Sequence, residues 1–375
     1  VLTIKRDGTY KARACVLGNL DRAGNVETFA PVVSQAAVRL ILTEAAAEGD
    51  VILPYDLDSA FLNAELDRNV LCRLPPVWAD SHGNSVFKLK KALYGLKDAP
   101  RLWYKRYGAI LKELGWLECS HTPGLWKKPS KAYPGRMMKM SVYVDDNLIC
   151  GPDVAELQAE LDAVFKKVSG RIIPCEKYSK DGISWIFFDF LGMDIHYSSQ
   201  GHAMRISMKT YIEKMCKKFN ISLGARILTP NFDESSLAAE GSKEVPDYPT
   251  RSVIGAVQWV ATCGRPDVAV PVAALARYAS KTPTVQIARA CRKVMKYLLT
   301  TVDEGISYSV QRESDFSKIY SKLLPDGRDL PRLNIFSDAG FANNIKCMHS
   351  TSGSIGYWRG VPIFWRSQRQ GVRAY

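Results

Sequence analysis

Two clusters of carboxylates in the 375-residue chain have the residue types and spacing for metal-dependent chemistry. In the first, Tyr55-Asp56-Leu57-Asp58, an apolar run over 51–55 ends in acidic residues. Read as a strand, its alternation places Asp56 and Asp58 on one face. In the second, Tyr143-Val144-Asp145-Asp146, the acids lie between apolar runs over 137–144 and 148–150. Those runs read as the arms of a hairpin with Asp145-Asp146-Asn147 at its turn. Adjacent carboxylates repel unless cations sit between them, so the clusters together could hold two Mg²⁺ ions. Such a pair activates a hydroxyl nucleophile and stabilises its leaving group. A solvated turn is the other reading of an Asp pair. The apolar runs beside both clusters favour strand tips that converge on one sheet.

The elements that must position these acids follow from periodicity. Residues 2–17 alternate around Asp7-Gly8 and read as a β-hairpin. Residues 34–48 have helical spacing with Ser34 at the N-cap. Residues 86–89 read as a strand, Tyr94-Gly95 as a turn, and Ala99-Pro100 opens an amphipathic helix through Leu114. A helix is expected over 153–168 and one or two strands over 185–197, followed by helices over 208–219, 250–263 and 284–300. The polar stretch 233–249 reads as a surface linker, and a new β pattern begins near 332.

Length favours more than one structural unit, and 46% hydrophobic with 10% aromatic residues supports a real core rather than disorder. Lys and Arg total 51 against 38 Asp plus Glu, a net charge of +13 that suits a polyanionic partner, although solubility alone also explains such an excess. Nine cysteines stand apart, with no Cys-x-x-Cys pair, which argues against a zinc site and for buried free thiols in a reducing compartment. No apolar run of about 18 residues and no signal peptide is present, so a soluble, intracellular protein without a membrane partner is expected. Val1-Leu2-Thr3-Ile4-Lys5 reads as the middle of a strand, as in a fragment of a longer chain.

Further motifs carry a family resemblance. Lys11-Ala12-Arg13, Thr28-Phe29-Ala30-Pro31, Asp56 through Leu66, Leu93-Tyr94-Gly95-Leu96-Lys97 with Ala99-Pro100-Arg101, and Tyr143-Val144-Asp145-Asp146 resemble the reverse transcriptases of copia-type LTR retrotransposons. Leu191-Gly192-Met193-Asp194-Ile195, Arg265-Pro266-Asp267, Phe336-Ser337-Asp338-Ala339 and Pro362-Ile363-Phe364-Trp365 continue the resemblance over nearly the whole chain. It implies an α+β right-hand polymerase: fingers over 1–55, palm over 56–200 with an inserted fingers segment at about 70–110, and a mainly helical thumb and connection over 201–311. A linker over 312–331 and a truncated ribonuclease H-like domain over 332–375 would follow.

The resemblance also implies roles. Asp56, Asp145 and Asp146 match the catalytic, metal-binding aspartates, with two Mg²⁺ ions as cofactors and Mn²⁺ as a substitute. Lys11 and Arg13 match the basic fingertip at the triphosphate, Phe61 matches the aromatic gate beneath the sugar, and Leu57 and Tyr143 complete the nucleotide-binding set. Each has a plainer reading: surface charges for Lys11 and Arg13, a core ring for Phe61. Lys97, Arg101, Leu191, Gly192, Lys214 and Lys218 are the nucleic-acid candidates. A strand-end turn also explains Leu191-Gly192, and a solvated helix face explains the lysines. Trp103 and Tyr107, four residues apart, share a face better suited to a core. Asp338 is the remnant of the ribonuclease H acidic set, and one carboxylate cannot hold two metals. Implied partners are primed RNA or DNA template, dNTPs and other parts of the Pol polyprotein, in a cytoplasmic particle with a nuclear phase.

Two positions depart from the family pattern. Asp98 stands where Gln is usual, which places a negative charge near a template-facing loop, and Leu17-Gly18 stands where Lys-Gly is usual. A catalytically weakened or domesticated nucleic-acid-binding relative is therefore the alternative to an active polymerase. An unrelated metal-dependent nuclease would need a water-activating base that the sequence does not display.

Overall fold

The structure, a computed structural model, describes all residues except 1, 5–9, 22, 23, 25, 79, 81, 82, 84, 239, 240, 325–327, 345–348, 374 and 375. It is a mixed α+β chain of antiparallel sheets and helices in two compact units. One unit comprises 1–34 and 51–173, the other 35–50 and 174–375. The expected Asp7-Gly8 turn and Cys347 lie outside the described residues.

The first unit begins with short strands β1 (Leu2–Ile4) and β2 (Tyr10–Ala12), paired antiparallel. Its centre is a six-stranded antiparallel sheet. In chain order its strands are β3 (Val51–Leu57), β6 (Leu117–Glu118), β7 (Leu125–Pro129), β8 (Met137–Tyr143), β9 (Asp146–Gly151) and β10 (Gly170–Ile172). Across the sheet they run β10-β3-β9-β8-β7-β6. A two-stranded ladder, β4 (Leu71–Arg73) with β5 (Val86–Lys88), stands apart from it.

Helix α2 (Ala99–Glu113) starts at Asp98 with Pro100 in its first turn, where a missing N–H costs nothing. Its buried stripe includes Leu102, Trp103, Tyr107, Ile110 and Leu111. Helix α3 (Val154–Phe165) is capped by Asp153, whose carboxylate accepts from the Glu156 amide at 2.7 Å. Leu157, Leu161 and Val164 of α3 join Met138, Met140 and Ile149 of the sheet in one apolar core.

The second unit takes in α1 (Gln35–Glu48) and a five-stranded antiparallel sheet in sequential order. Its strands are β11 (Glu176–Lys180), β12 (Ile183–Phe190), β13 (Met193–Ser198), β14 (Ala203–Ser207) and β15 (Gly305–Ser309). Between β14 and β15 come α4 (Lys209–Lys218), α5 (Thr250–Cys263), α6 (Ala269–Ala276) and α7 (Val285–Thr300). The chain ends in α8 (Val310–Tyr320) and a three-stranded antiparallel sheet of β16 (Leu333–Asn344), β17 (His349–Trp358) and β18 (Val361–Arg373).

Several sequence expectations are corrected. The expected linker over 312–331 is largely helical. Ser309 caps α8 by accepting from the Arg312 amide, and a 3-10 turn, Ser321–Leu323, follows. Residues 174–200 group with the second compact unit, because β11 to β15 form one continuous ladder. The 233–249 stretch is no bare linker: it contains a 3-10 turn, Glu234–Ala238, with Leu237 buried, and bridges to Thr284. Of the cysteines, Cys150, Cys216, Cys263 and Cys291 are buried, whereas Cys15 is exposed.

Helix α1 is held by a buried arginine. Arg39 donates to Thr262 O and Cys263 O (both 2.9 Å) at the end of α5 and to Ile363 O (2.7 Å) in β18, with its guanidinium 4.2 Å from the Trp365 ring centroid. Burial lowers its pKa to about 10, which leaves it charged at neutral pH. The negative end of the α5 dipole and the ring face offset that burial. Arg39→Ala should therefore lower unfolding free energy by about 3 kcal/mol, since two buried carbonyls and a partly buried one lose their donor. Urea titration would show the loss, and a midpoint equal to that of the parent would refute it.

Candidate active site

Strand β3 lies between β10 and β9, and its register decides what meets at the carboxylates. Asp56 stands directly opposite Asp146 across the β3–β9 ladder and opposite Arg171 across the β10–β3 ladder. Directly opposed residues in an antiparallel pair have Cα atoms about 4.5–5.5 Å apart and share a face. Strand β3 shows the matching alternation: Tyr55 and Leu57 are buried and Asp56 is partly exposed.

The hairpin between β8 and β9 is tighter than the sequence suggests. Tyr143 pairs with Asp146, so the connection is Val144-Asp145 alone, and Asp146 and Asn147 belong to β9. Val144 has φ of +61°, in the left-handed region that a β-branched residue enters at a cost. Three donors oppose that cost. Trp103 Nε1 donates to Val144 O at 2.9 Å, Asn147 Nδ2 donates to Asp145 O at 2.8 Å, and Leu57 N donates to Asp145 O at 3.2 Å. Asn147 also accepts from Tyr143 N at 3.3 Å and is only 1% exposed.

Helix α2 underlies both acidic segments. Trp103 and Tyr107 stack with centroids 5.2 Å apart, and the buried Tyr107 and Tyr55 hydroxyls share a hydrogen bond of 2.8 Å. One helix face thus reaches the residue before Asp56 and the residue before Asp145. The core reading of Trp103 and Tyr107 holds, and their positioning contacts are what spacing alone did not reveal.

Around the acids stand Arg13, Phe61 and Tyr94. Phe61 meets Tyr94 edge-on with centroids 5.0 Å apart, and the Arg13 guanidinium lies 5.4 Å from the Tyr94 ring centroid. The Tyr94 phenol is pushed above its ordinary range by burial and by the negative charges of Asp145 and Asp56, while Arg13 pulls it down. Tyr94 was read from sequence as part of a turn and of a family motif, without a role at the site. Its neighbourhood is fixed by backbone contact: Val16 N donates to Tyr94 O at 2.8 Å. Gly95, at φ of +94°, also sits so close that a Cβ there would lie 2.0 Å from Val16 O. Only glycine permits that approach.

Other candidates fall elsewhere. Leu57 is 1% exposed and belongs to the core, so its place in the nucleotide-binding set is corrected: alternation along β3 turns it away from Asp56. Arg101 is corrected as a nucleic-acid contact, being 7% exposed and bound to Glu27 O at 2.9 Å and Asp67 at 2.6 Å. Lys97 is exposed and reaches Asp21 O at 3.2 Å. The backbone of Lys11 is in β2. Asp98 presents no charge to a template. It is fully buried and accepts two hydrogen bonds from Arg68, at 2.8 and 3.2 Å, while Arg68 also binds Asp21 at 2.6 Å. Leu17 is exposed.

Leu191, Gly192, Lys214, Lys218 and Asp338 belong to the second unit. Leu191 and Gly192, both at positive φ, form the two-residue turn joining β12 to β13. Lys214 and Lys218 are exposed one turn apart on α4. Asp338 is exposed on β16 opposite Gly353.

The carboxylates already answer to a cation. Arg171 binds Asp56 Oδ2 at 2.8 Å and Asp58 Oδ1 at 3.1 Å, and Ser169 Oγ donates to Asp58 Oδ2 at 2.7 Å. Both acids thus face the same side, as their alternation requires. Among the described residues no three His, Cys, Asp or Glu side chains stand together in a metal-holding cluster. The donors themselves, hard carboxylate oxygens on adjoining strands, fit Mg²⁺.

A family model for reverse transcriptase (RNA-dependent DNA polymerase) matches residues 1–233. The chain is 30% identical over 367 residues to the retrovirus-related Pol polyprotein from transposon RE2 of Arabidopsis thaliana, covering 96% of this chain and 23% of that protein. It is 30% identical to the transposon RE1 polyprotein of the same plant, covering 96% and 22%, and 26% identical to that of transposon TNT 1-94 of Nicotiana tabacum, covering 99% and 27%. It thus spans about a quarter of the length of these relatives. No helix among the described residues is long and apolar enough to cross a membrane. With its aspartates side by side on β3 and β9 and its match to the family over most of its length, the chain belongs to the reverse transcriptases of copia-type retrotransposon Pol polyproteins.

Proposed function

We propose that the chain extends a primer on an RNA or DNA template by two-metal nucleotidyl transfer, as part of a retrotransposon Pol polyprotein. The observation that carries this reading is the Asp56–Asp146 register, with Asp145 at the adjoining turn. These three carboxylates would hold the ions. Bound Mg²⁺, or Mn²⁺ in its place, supplies the Lewis acid that activates the primer 3′-hydroxyl and takes up charge on the departing pyrophosphate.

The remaining roles fall to the chain's own side chains. Arg13 lies near enough to the acids for Tyr94 to sense both, and its guanidinium suits the triphosphate. The Phe61 ring, held edge-on by Tyr94, presents a wall against a 2′-hydroxyl and so selects dNTPs. Exposed Lys97, Lys214 and Lys218 suit the nucleic-acid backbone, and the Leu191-Gly192 turn is assigned to the primer. Residues 332–375 are assigned to a ribonuclease H-like domain, with Asp338 in its acidic set. A second reading, a relative that binds nucleic acid without turnover, is favoured by one observation: the Arg171 guanidinium rests on Asp56.

Three measurements decide among these. Asp145→Asn should abolish Mg²⁺-dependent dNTP incorporation on a primed template while duplex affinity is unchanged; incorporation at the parent rate would reject the polymerase reading. Phe61→Ala should cut the preference for dNTPs over rNTPs by about 100-fold, the scale at which a pocket excludes one hydroxyl, and unchanged discrimination would remove Phe61 from the gate. Trp103→Phe keeps the stacked ring and loses the donor to Val144 O, so kcat should fall about 10- to 100-fold with template affinity intact. An unaltered kcat would show that the turn needs no such support.

A further inference from the structure

Strand β10 carries a residue that no catalytic role accounts for. Arg171, at the sheet edge, spreads its two terminal nitrogens over Asp56 and Asp58. The pair is half open to solvent, with side-chain exposures of 55% for Arg171 and 25% for Asp56, so it can break and reform readily. The two contacts are not equivalent. Asp58 is fixed from its other side by Ser169 Oγ, and its amide donates to Ser169 O at 2.8 Å, whereas Asp56 faces Asp146 across the ladder. Asp58 is therefore an anchor for the guanidinium, and Asp56 is the position it shares with whatever else the acids attract.

We propose that Arg171 is a built-in counter-ion that competes with divalent metal for Asp56 and sets the metal affinity of the site, with Asp58 and Ser169 holding the guanidinium when metal displaces it. This inference rests on the polymerase reading for the identity of the metal. The physical reason is electrostatic. Asp56, Asp58, Asp145 and Asp146 crowd the ends of β3 and β9, and without a cation their repulsion would oppose the β3–β9 register. A tethered guanidinium neutralises that cluster in the metal-free chain and must yield Asp56 before an ion can use it. Arg171 is a positioning residue in this account, acting through Asp56 and not on substrate.

The test reads metal binding directly, with the full chain stripped of metal and free Mn²⁺ followed by electron paramagnetic resonance, without substrate. Arg171→Gln should tighten Mn²⁺ binding about 5-fold or more, the worth of a partly exposed ion pair of about 1 kcal/mol. Arg171→Lys, which keeps the charge, should stay near the parent value. Metal-free Arg171→Gln should melt lower than the parent and be raised more by Mn²⁺. Asp58→Asn should weaken Mn²⁺ binding more in the parent than in the Arg171→Gln background, because only the parent loses the anchor. Equal Mn²⁺ affinity in parent and Arg171→Gln, or equal effects of Asp58→Asn in both, would overturn the proposal. Failure is separable from failure of the polymerase reading: Mn²⁺ binding that depends on Asp145 but not on Arg171 sinks this inference alone, and no Mn²⁺ binding in any variant sinks both.

Discussion

The register between β3 and β9 is the constraint from which the site follows. A slip of one residue would turn Asp56 into the core and Tyr55 or Leu57 out toward Asp146, because side chains alternate with period two. The apolar partners resist that slip. Tyr55 is tied to Tyr107 by a buried hydrogen bond, and Leu57 packs among core residues of the first unit. Burial on one face of the strand thereby fixes the position of a carboxylate on the other.

The β8–β9 connection shows the same economy under strain. A two-residue turn keeps Asp145 next to Asp146, and it places Val144 in a backbone conformation that its side chain disfavours. Trp103, Asn147 and the Leu57 amide hold the turn from three directions. The segment that carries Arg13 uses another device, the close approach of Gly95 to Val16, and the Arg13 guanidinium lies over Tyr94. Three separate stretches of sequence thus converge through hydrogen bonds and one glycine rather than through a deep cavity.

Arg171 completes the electrostatics. Four acids at neighbouring strand ends would be costly in isolation, and the chain supplies a cation of its own on the edge strand. Asp98 and Arg68 repeat the principle elsewhere: the buried acid that looked like a defect in a template-facing loop is neutralised by a partner thirty positions away in the sequence.

By itself the sequence determined what depends on local pattern and on residue identity. Apolar runs identified the strands that lead to Asp56 and to the acidic hairpin turn, 3.6-residue spacing identified α1, α2, α3, α4, α5 and α7, and the motif order marked the family. Only the tertiary structure decided what depends on which segments meet. It moved Leu57 and Arg101 into the interior, shortened the acidic turn to Val144-Asp145, made the expected linker helical, and brought Tyr94 and Arg171 beside the carboxylates. The reason is physical. Periodicity reports the face a residue occupies on its own element, whereas burial of a charge, the pairing of a guanidinium or the strain in a turn is set by neighbours far away in the chain.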